Sequence, residues 1–382
     1  MDNITHSLIG LTAAKAGLDK LSPGATTLCA LAANSPDGDI LALIFGGRWT
    51  YLQQHRGISH SIVGVCVLAL ALPLIFYFGD LLLARTRKHG RRVKLPGLLL
   101  ASAVVTATHP LMDWANNYGV RFLLPWNPRW FYGDFIFVID PFIWVVLGGA
   151  AFLLTAKTRK QLIAWGIIAL FSTLLVLVGL GPMFSVRGIA LRLLWVIALL
   201  VLVNLYQRNF GARAGAKLAI TALATIVIYC SALAATHFVA LRRANLQAIT
   251  IANDKAEKFI RVAAMPTVAN PAEWLCVMET DRATYRFKLS LLAAQAGDLD
   301  LVRYEKPDGS DAQIVAQATR DSRSHAFLGF ARFPVVHVIG EDCATQTLVQ
   351  FADLRYTEPG KGRGTFSLDV PVECPVPEEP NK

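Results

Sequence analysis

The sequence predicts a mainly helical fold: a polytopic membrane bundle over residues 1–241, then a soluble, mostly antiparallel α+β domain over residues 242–382. Composition is the first indication, because 54% of the 382 residues are hydrophobic and only 17% are charged, with a mean hydropathy of +0.44. Soluble domains carry about a quarter charged residues, so apolar surface on this scale needs lipid. Long apolar runs recur along the chain and stop near Leu241. Beyond that point Asp, Glu, Lys and Arg return to ordinary density, which marks the domain boundary.

The first two apolar stretches, Ile4–Ala16 and Ala25–Ala33, are too short to cross a bilayer alone and are separated by Gly17 and the turn-like Ser22-Pro23-Gly24. They read as a hairpin of short helices packed inside the bundle. No basic segment precedes them, so a cleaved signal peptide is not expected. Runs reaching the roughly 20 residues that a spanning helix needs are Ile62–Ala84, Leu95–Leu111, Phe135–Ala156, Gln161–Leu180, Gly188–Tyr206 and Leu218–Leu241, six spans in all.

The net charge of +10 is a topology signal before it is a nucleic-acid signal, since Arg85, Arg87, Lys88, Arg91, Arg92 and Lys94 crowd between two apolar runs. Short basic loops stay in the cytoplasm. That loop alternates correctly with Lys157, Arg159 and Lys160 and with Arg208, Arg213 and Lys217, and Lys15 and Lys20 fit the same scheme. The C-terminal domain is then expected on the outer, periplasmic side, although Arg242 and Arg243 oppose this. The expected partner is the lipid bilayer; no nucleic acid is expected.

Past a connecting helix at Asn245–Val262, apolar alternation predicts strands at Trp274–Met278, Thr284–Leu289, Val335–Ile339, Thr347–Phe351 and Thr365–Val370. The six cysteines show no metal-type spacing: Cys29, Cys66 and Cys230 fall in apolar helices, while Cys276, Cys343 and Cys374 lie in the soluble part, where one disulfide is open.

With this topology the polar residues that interrupt the apolar sequence fall at the outer ends of helices: His6, Asp37, Asp39, His55, Arg56, His60, His109, Asp113, Asp134 and Asp140. Ionisable groups at membrane depth are expensive and normally line a site. Asp2 and His6, Arg56 and His60, and His109 and Asp113 are each four apart, and so share a helix face. Imidazole with carboxylate suits Zn, Mn or Fe, and no thiolate is close enough in sequence to suggest a Cys-rich structural zinc. Asp37-Gly-Asp39 follows a turn-like Asn34-Ser-Pro that can aim both carboxylates at one point. Simpler roles compete: Asp2 as a first-turn charge, Asp37 and Asp39 as loop or capping residues, and Asp140 as a turn residue before Pro141. Outward-side arginines, Arg192 among them, suit a phosphate, a carboxylate or lipid headgroups. Trp49, Trp114, Trp126, Trp130 and Tyr132 suit an interfacial aromatic belt.

Six segments together carry a family resemblance: Asp2-Asn-Ile-Thr-His6-Ser, Asn34-Ser-Pro-Asp37-Gly-Asp39, His55-Arg-Gly-Ile-Ser-His60-Ser, His109-Pro-Leu-Met-Asp113-Trp-Ala-Asn-Asn-Tyr-Gly119, Trp130-Phe-Tyr-Gly-Asp134 and Asp140-Pro141. The sequence resembles the bacterial membrane-bound metal-dependent hydrolases of the YdjM/YfhP-like group, best over residues 1–145 and more loosely beyond. The resemblance implies an inner-membrane protein, a divalent metal and hydrolysis. Carried onto matching positions, it implies His6, Asp37, His60, His109 and Asp113 as metal ligands.

The function expected from these residues is a metal-dependent hydrolase, with zinc first and manganese or iron as alternatives. It would act at the outer membrane–water interface on a small-molecule or lipid-linked ester or phosphoester. Asp39 or Asp140 would be the general base and Arg56 the group that neutralises a developing anion. An ion- or proton-coupled transporter is the alternative, because buried His and Asp also mark conduction paths; against it, the inner halves of the spans are almost purely apolar apart from Asp80. A noncatalytic membrane scaffold would leave the His/Asp cluster unexplained.

Overall fold

The computed structural model describes residues 1–84, 92–179, 185–292, 300–339, 346–361 and 364–373. Arg85, Arg87, Lys88 and Arg91 of the first basic loop, and Cys343 and Cys374, lie outside the described residues. Cys276 is buried and, among the described residues, free.

The N-terminal part is helical: α1 (Asn3–Lys15), α2 (Ala25–Ala32), α3 (Leu41–Gln54), α4 (Ile62–Ala84), α5 (Leu95–Trp114), α6 (Pro141–Thr155), α7 (Arg159–Gly179), α8 (Val186–Gln207), α9 (Phe210–Ala214) and α10 (Ala216–Asp254). Among the described residues, α4, α5, α7, α8 and α10 are long and apolar enough to cross a membrane; α2 with the following Ser35–Gln54 adds a sixth if that bent pair is one broken span. The expected span Phe135–Ala156 is shorter than the sequence implies. Its helix begins only at Pro141, because the Asp140 carboxylate accepts the N–H groups of Phe142 and Ile143 as an N-cap and Pro141 takes the first helical position. The result is a 15-residue helix.

The chain packs into two units, one of Met1–Gly38, Arg56–Thr236 and Pro266–Pro271, the other of Asp39–His55, His237–Met265 and Ala272–Lys382. In the first, α1 packs on α2, α5 and α6, and α4 packs on α5. A seam of Ala13, Ala14, Cys29, Ala32, Ala33, Ala101 and Val105, all buried, lets α1, α2 and α5 approach closely. Gly10 is part of that seam, since a Cβ there would meet the Cys29 carbonyl oxygen at 2.5 Å. Asp2 caps α1 through the Thr5 N–H and also accepts the Thr5 hydroxyl at 2.7 Å. Larger side chains, including Leu8, Ile143, Trp144, Leu147 and Trp195, fill the adjoining core.

The C-terminal region adds β1 (Phe259–Thr267), β2 (Asn270–Thr280), β3 (Ala283–Ser290), β4 (Val302–Glu305), α11 (Gly309–Ala318), α12 (Ser322–Phe330), β5 (Pro334–Ile339), β6 (Gln346–Asp353) and β7 (Ser367–Glu373). They form two small sheets, β1-β2-β3-β4 and β5-β6-β7. The pairings of β2 with β3, β3 with β4, β5 with β6 and β6 with β7 are antiparallel. All five expected strands lie in or overlap β2, β3, β5, β6 and β7. The connecting helix expected at Asn245–Val262 is instead the continuation of α10 as far as Asp254, and β1 starts at Phe259. Alanines 240, 244 and 248 recur every four residues on one face of α10, and this flat stripe packs with Trp274, Cys276, Met278, Tyr285 and Phe287 of β2 and β3. In the second unit α3 packs on α12.

Candidate metal centre

The close packing of α2 against α5 fixes the first element of the site. The Ala33 carbonyl oxygen lies 2.6 Å from His109 Nδ1. A carbonyl only accepts, so Nδ1 carries the hydrogen and Nε2 of the neutral ring presents a bare lone pair inward. His60, at the end of a short 3-10 turn (Ile58–His60), has Nδ1 at 3.0 Å from the Ser59 hydroxyl, and its Nε2 also points inward. The two Nε2 atoms are 3.1 Å apart.

Two carboxylates close the group. Asp37 Oδ1 lies 3.4 Å from both His60 Nε2 and His109 Nε2. Asp113 Oδ2 lies 3.2 Å from His60 Nε2 and 3.4 Å from His109 Nε2. Asp113, one helical turn beyond His109 on α5, is buried with His60 and His109, and Asp37 is the partly exposed member. Ligand-capable atoms of all four residues lie within 4.8 Å of one another.

These distances fit a divalent ion. Four ligands about 2.1 Å from a tetrahedral centre stand about 3.4 Å apart, and five of the six separations here run from 3.1 to 3.4 Å. Hydrogen bonding alone accounts poorly for the same geometry. Among the described residues Asp113 Oδ2 is buried without a hydrogen bond, although it faces two imidazoles, an arrangement that suits a cation between them. The buried Asp37/His60/His109/Asp113 group can hold a metal ion.

Asp113 Oδ1 faces the other way. It takes the Met1 amino group and the Arg56 guanidinium, with Arg56 Nη2 at 3.0 Å. Arg56 sits at a left-handed backbone position (φ +54°) and is buried; its Nη1 donates to the Asp113 carbonyl at 3.1 Å and to Asn116 Oδ1 at 2.9 Å, and its guanidinium lies 4.6 Å over the Tyr118 ring. His6 stands beside the group of four: its Nε2 is 3.3 Å from Asp113 Oδ1, and its ring stacks on His109 with centroids 3.7 Å apart.

Other candidates lie elsewhere. Asp39 Oδ1 pairs with His55 Nδ1 at 3.0 Å in the second unit. Asp140 caps α6 and accepts the Tyr229 hydroxyl at 2.8 Å. Asp134 is buried at φ +58° and is not one of the four. Arg192 donates through Nε and Nη2 to the Leu177 carbonyl at 3.0 and 2.9 Å, and Arg187 donates to the carbonyls of Val268 and Ala269. The roles of Asn116, Ser59 and the Ala33 carbonyl are additions from the structure. Asn116 and Ser59 stood inside the sequence motifs, but nothing in a motif tells which donor an asparagine or serine will meet.

Fold and site together define a helical membrane protein with a buried His/Asp centre. Residues 1–183, just under half of the chain, match the YdjM inner membrane protein family. The chain is also 27% identical over 155 residues to the uncharacterized protein YfhP of Bacillus subtilis, covering 38% of this chain and 43% of the relative, so the matched part spans less than half the length of that relative. No solved structure matches.

Proposed function

We propose that the chain is a membrane-bound, metal-dependent hydrolase whose ion, zinc by ligand chemistry with manganese or iron as alternatives, is held by Asp37, His60, His109 and Asp113, with His6 beside them. The observation that carries the reading is the set of 3.1–3.4 Å separations among their ligand atoms, with His109 locked in the tautomer that a metal ligand needs. A bound divalent ion supplies a Lewis acid and a water acidified toward neutral pH. The chain's own residues do the rest. Ala33 and Ser59 orient the two imidazoles. Arg56 holds Asp113 in place from its Oδ1 side and offers a fixed positive charge for an anion developing on a substrate. Asp39, the expected general base, is hydrogen-bonded to His55 in the second unit, and no base role in this centre is assigned to it. Asp140, whose oxygens cap α6 and accept Tyr229, is better supported as a positioning residue than as a base.

The substrate class we assign is a membrane-associated ester or phosphoester, reached from the outer face, with residues 242–382 forming an extracytoplasmic domain. Alkaline phosphatase fused after Lys382 should be active, and an inactive but well-expressed fusion reverses the topology. For the chemistry, metal content and hydrolysis are measured on protein purified in detergent. His109→Ala should lower both, whereas Arg56→Ala, which removes a partner of Asp113 and no ligand, should lose far less metal than His109→Ala while lowering turnover. Full activity in metal-free protein, or metal loss in Arg56→Ala equal to that in His109→Ala, overturns the assignment.

An ion or proton path is the second reading, favoured by one observation. Ser102 and Thr106 lie on the α5 stripe that leads to His109 and Asp113, and both hydroxyls are buried without a hydrogen-bond partner. Leu98, fully buried one turn before Ser102, closes that stripe. Ion flux through proteoliposomes without detectable hydrolysis would favour this reading.

A further inference from the structure

On the reverse side of α1 from the His/Asp centre lies a cavity of about 450 Å³, walled by α1, α6, α7 and α8. Ile4 and Leu8, four apart and therefore on one face of α1, line it together with Trp144, Gly166, Trp195 and Leu202. His6, two residues from each, points from the opposite face toward Asp113. The indole N–H groups are turned to partners: Trp144 to Asp2 and Thr5, and Trp195 to the Thr173 hydroxyl. The rings therefore offer the cavity hydrocarbon surface. Glycine supplies the room: at Gly166 a Cβ would meet nothing within 4 Å, and at Gly148 it would meet Leu8 at 3.5 Å.

Size and chemistry select the occupant. One turn of an α-helix, about 10 Å across and 5.4 Å long, fills about 420 Å³, so a partner helix would exhaust the space within a single turn. Water finds too few polar partners on these walls. An empty cavity would forfeit the dispersion contacts of its lining. A flexible polymethylene chain satisfies all three conditions, and the helices forming the walls belong to a membrane bundle that such chains surround. We propose that this cavity binds one hydrocarbon chain of a membrane lipid, seated against the face of α1 opposite His6. The occupied cavity then buttresses α1 and, through the Trp144 bonds to Asp2 and Thr5, the capped first turn that positions His6. The chain belongs either to a resident phospholipid or to a lipid substrate.

The test uses the full-length protein in phosphatidylethanolamine/phosphatidylglycerol vesicles containing a phospholipid with a diazirine in mid-chain, followed by irradiation and peptide mapping. Adducts are expected on Trp165, Trp195 and Leu202 of the cavity at several times the yield found at outward-facing Ile163 and Leu170, which are 55% and 63% exposed. In Gly166→Phe, which fills open space, the cavity adducts should fall several-fold while those at Ile163 and Leu170 stay constant. Ala169→Leu, a milder change in the same wall, should give a smaller fall in the same direction and guards against misfolding of the first variant. A free fatty acid carrying the same diazirine should label the same residues. Labelling by the phospholipid alone would show headgroup recognition and overturn the proposal, as would cavity yields equal to the outward sites or unaffected by both variants. Phospholipid retained through detergent purification identifies a resident chain, whereas protein purified free of lipid that regains cavity labelling when the diazirine lipid is added back identifies an exchanging, substrate-type chain. Neither readout needs the metal, so failure here leaves the hydrolase reading standing.

Discussion

The two units bury charge in opposite ways. In the second, Glu257 is surrounded by donors: the Thr280 hydroxyl at 2.6 Å, the Tyr285 hydroxyl at 3.0 Å to both oxygens, and Arg303 Nη2 at 2.9 Å. Asp353 and Arg355 are both fully buried and equally well matched. Asp353 accepts Arg355 Nε and Nη2 at 2.9 and 2.7 Å and the Arg332 N–H at 3.1 Å, and Arg355 Nη2 also reaches the Phe330 carbonyl. In the first unit, the Asp37 and Asp113 carboxylates and the Nε2 of His109 turn toward one point, with His60 Nε2 beside them. Balanced donors and acceptors make a cluster that needs nothing more. Facing acceptors in a buried place make one that can hold a cation between them.

Four experiments break or sharpen that contrast. The largest effect is expected from His109→Ala, which removes a ligand outright and should reduce bound divalent metal by more than the roughly 100-fold upper limit for losing an outer-shell partner, while Glu257→Gln leaves it at the wild-type level; elemental analysis of both proteins decides, and equal losses would end the distinction. Next comes Asp353→Asn. It leaves Arg355 buried without its counter-charge, at a cost of about 3–5 kcal/mol, visible as a lower denaturant midpoint for the C-terminal region of the full chain with metal content unchanged.

The third is a pH effect. Burial acts to raise the Glu257 pKa, but the hydrogen bonds from Thr280, Arg303 and Tyr285 outweigh it and hold the carboxyl below its ordinary range. A depressed folded-state pKa means stability that is fully present above the unfolded value and is lost as pH falls through the folded one. The thermal midpoint of the C-terminal region should therefore fall on acidification below about pH 4.3, the ordinary glutamate value. In Glu257→Gln, destabilised by about 1–3 kcal/mol at neutral pH, that part of the acid dependence should be missing; an unchanged pH profile contradicts the assignment. The smallest effect is expected from Ser59→Ala, which removes the neighbour of His60 Nδ1 and should weaken metal binding about tenfold without changing the stability of the C-terminal region. Metal affinity equal to wild type would show that Ser59 does not orient the ring.

Much of the bundle was legible in the sequence because hydropathy is a property of contiguous residues. The runs at 62–84 and 95–111 became α4 and α5 with little change. The His109/Asp113 pair was legible for the same reason, since four residues along a helix always return to one face. Other elements escaped. The 14-residue α3 carries a Gly46-Gly47 break, with Gly47 at φ +74°, that hides its helical character. β4 has only four residues, too short for alternation to register.

What the sequence by itself determined is therefore local: which segments are apolar enough for lipid, where strands alternate, and which polar residues share a helix face. The tertiary structure decided which of the ten polar residues meet. Asp113 and Asp140 are the same side chain in similar apolar surroundings, yet one turns an oxygen toward two imidazoles while the other caps a helix and takes the Tyr229 hydroxyl. Asp37 and Asp39 are separated by one glycine, yet Asp37 joins His60 and His109 whereas Asp39 pairs with His55. A carboxylate's role is set by the donors that reach it, and those donors arrive from segments far away in the chain. The Ala33 carbonyl that fixes His109 is 76 residues from it, and only the close approach of α2 to α5 through the alanine seam brings the two together.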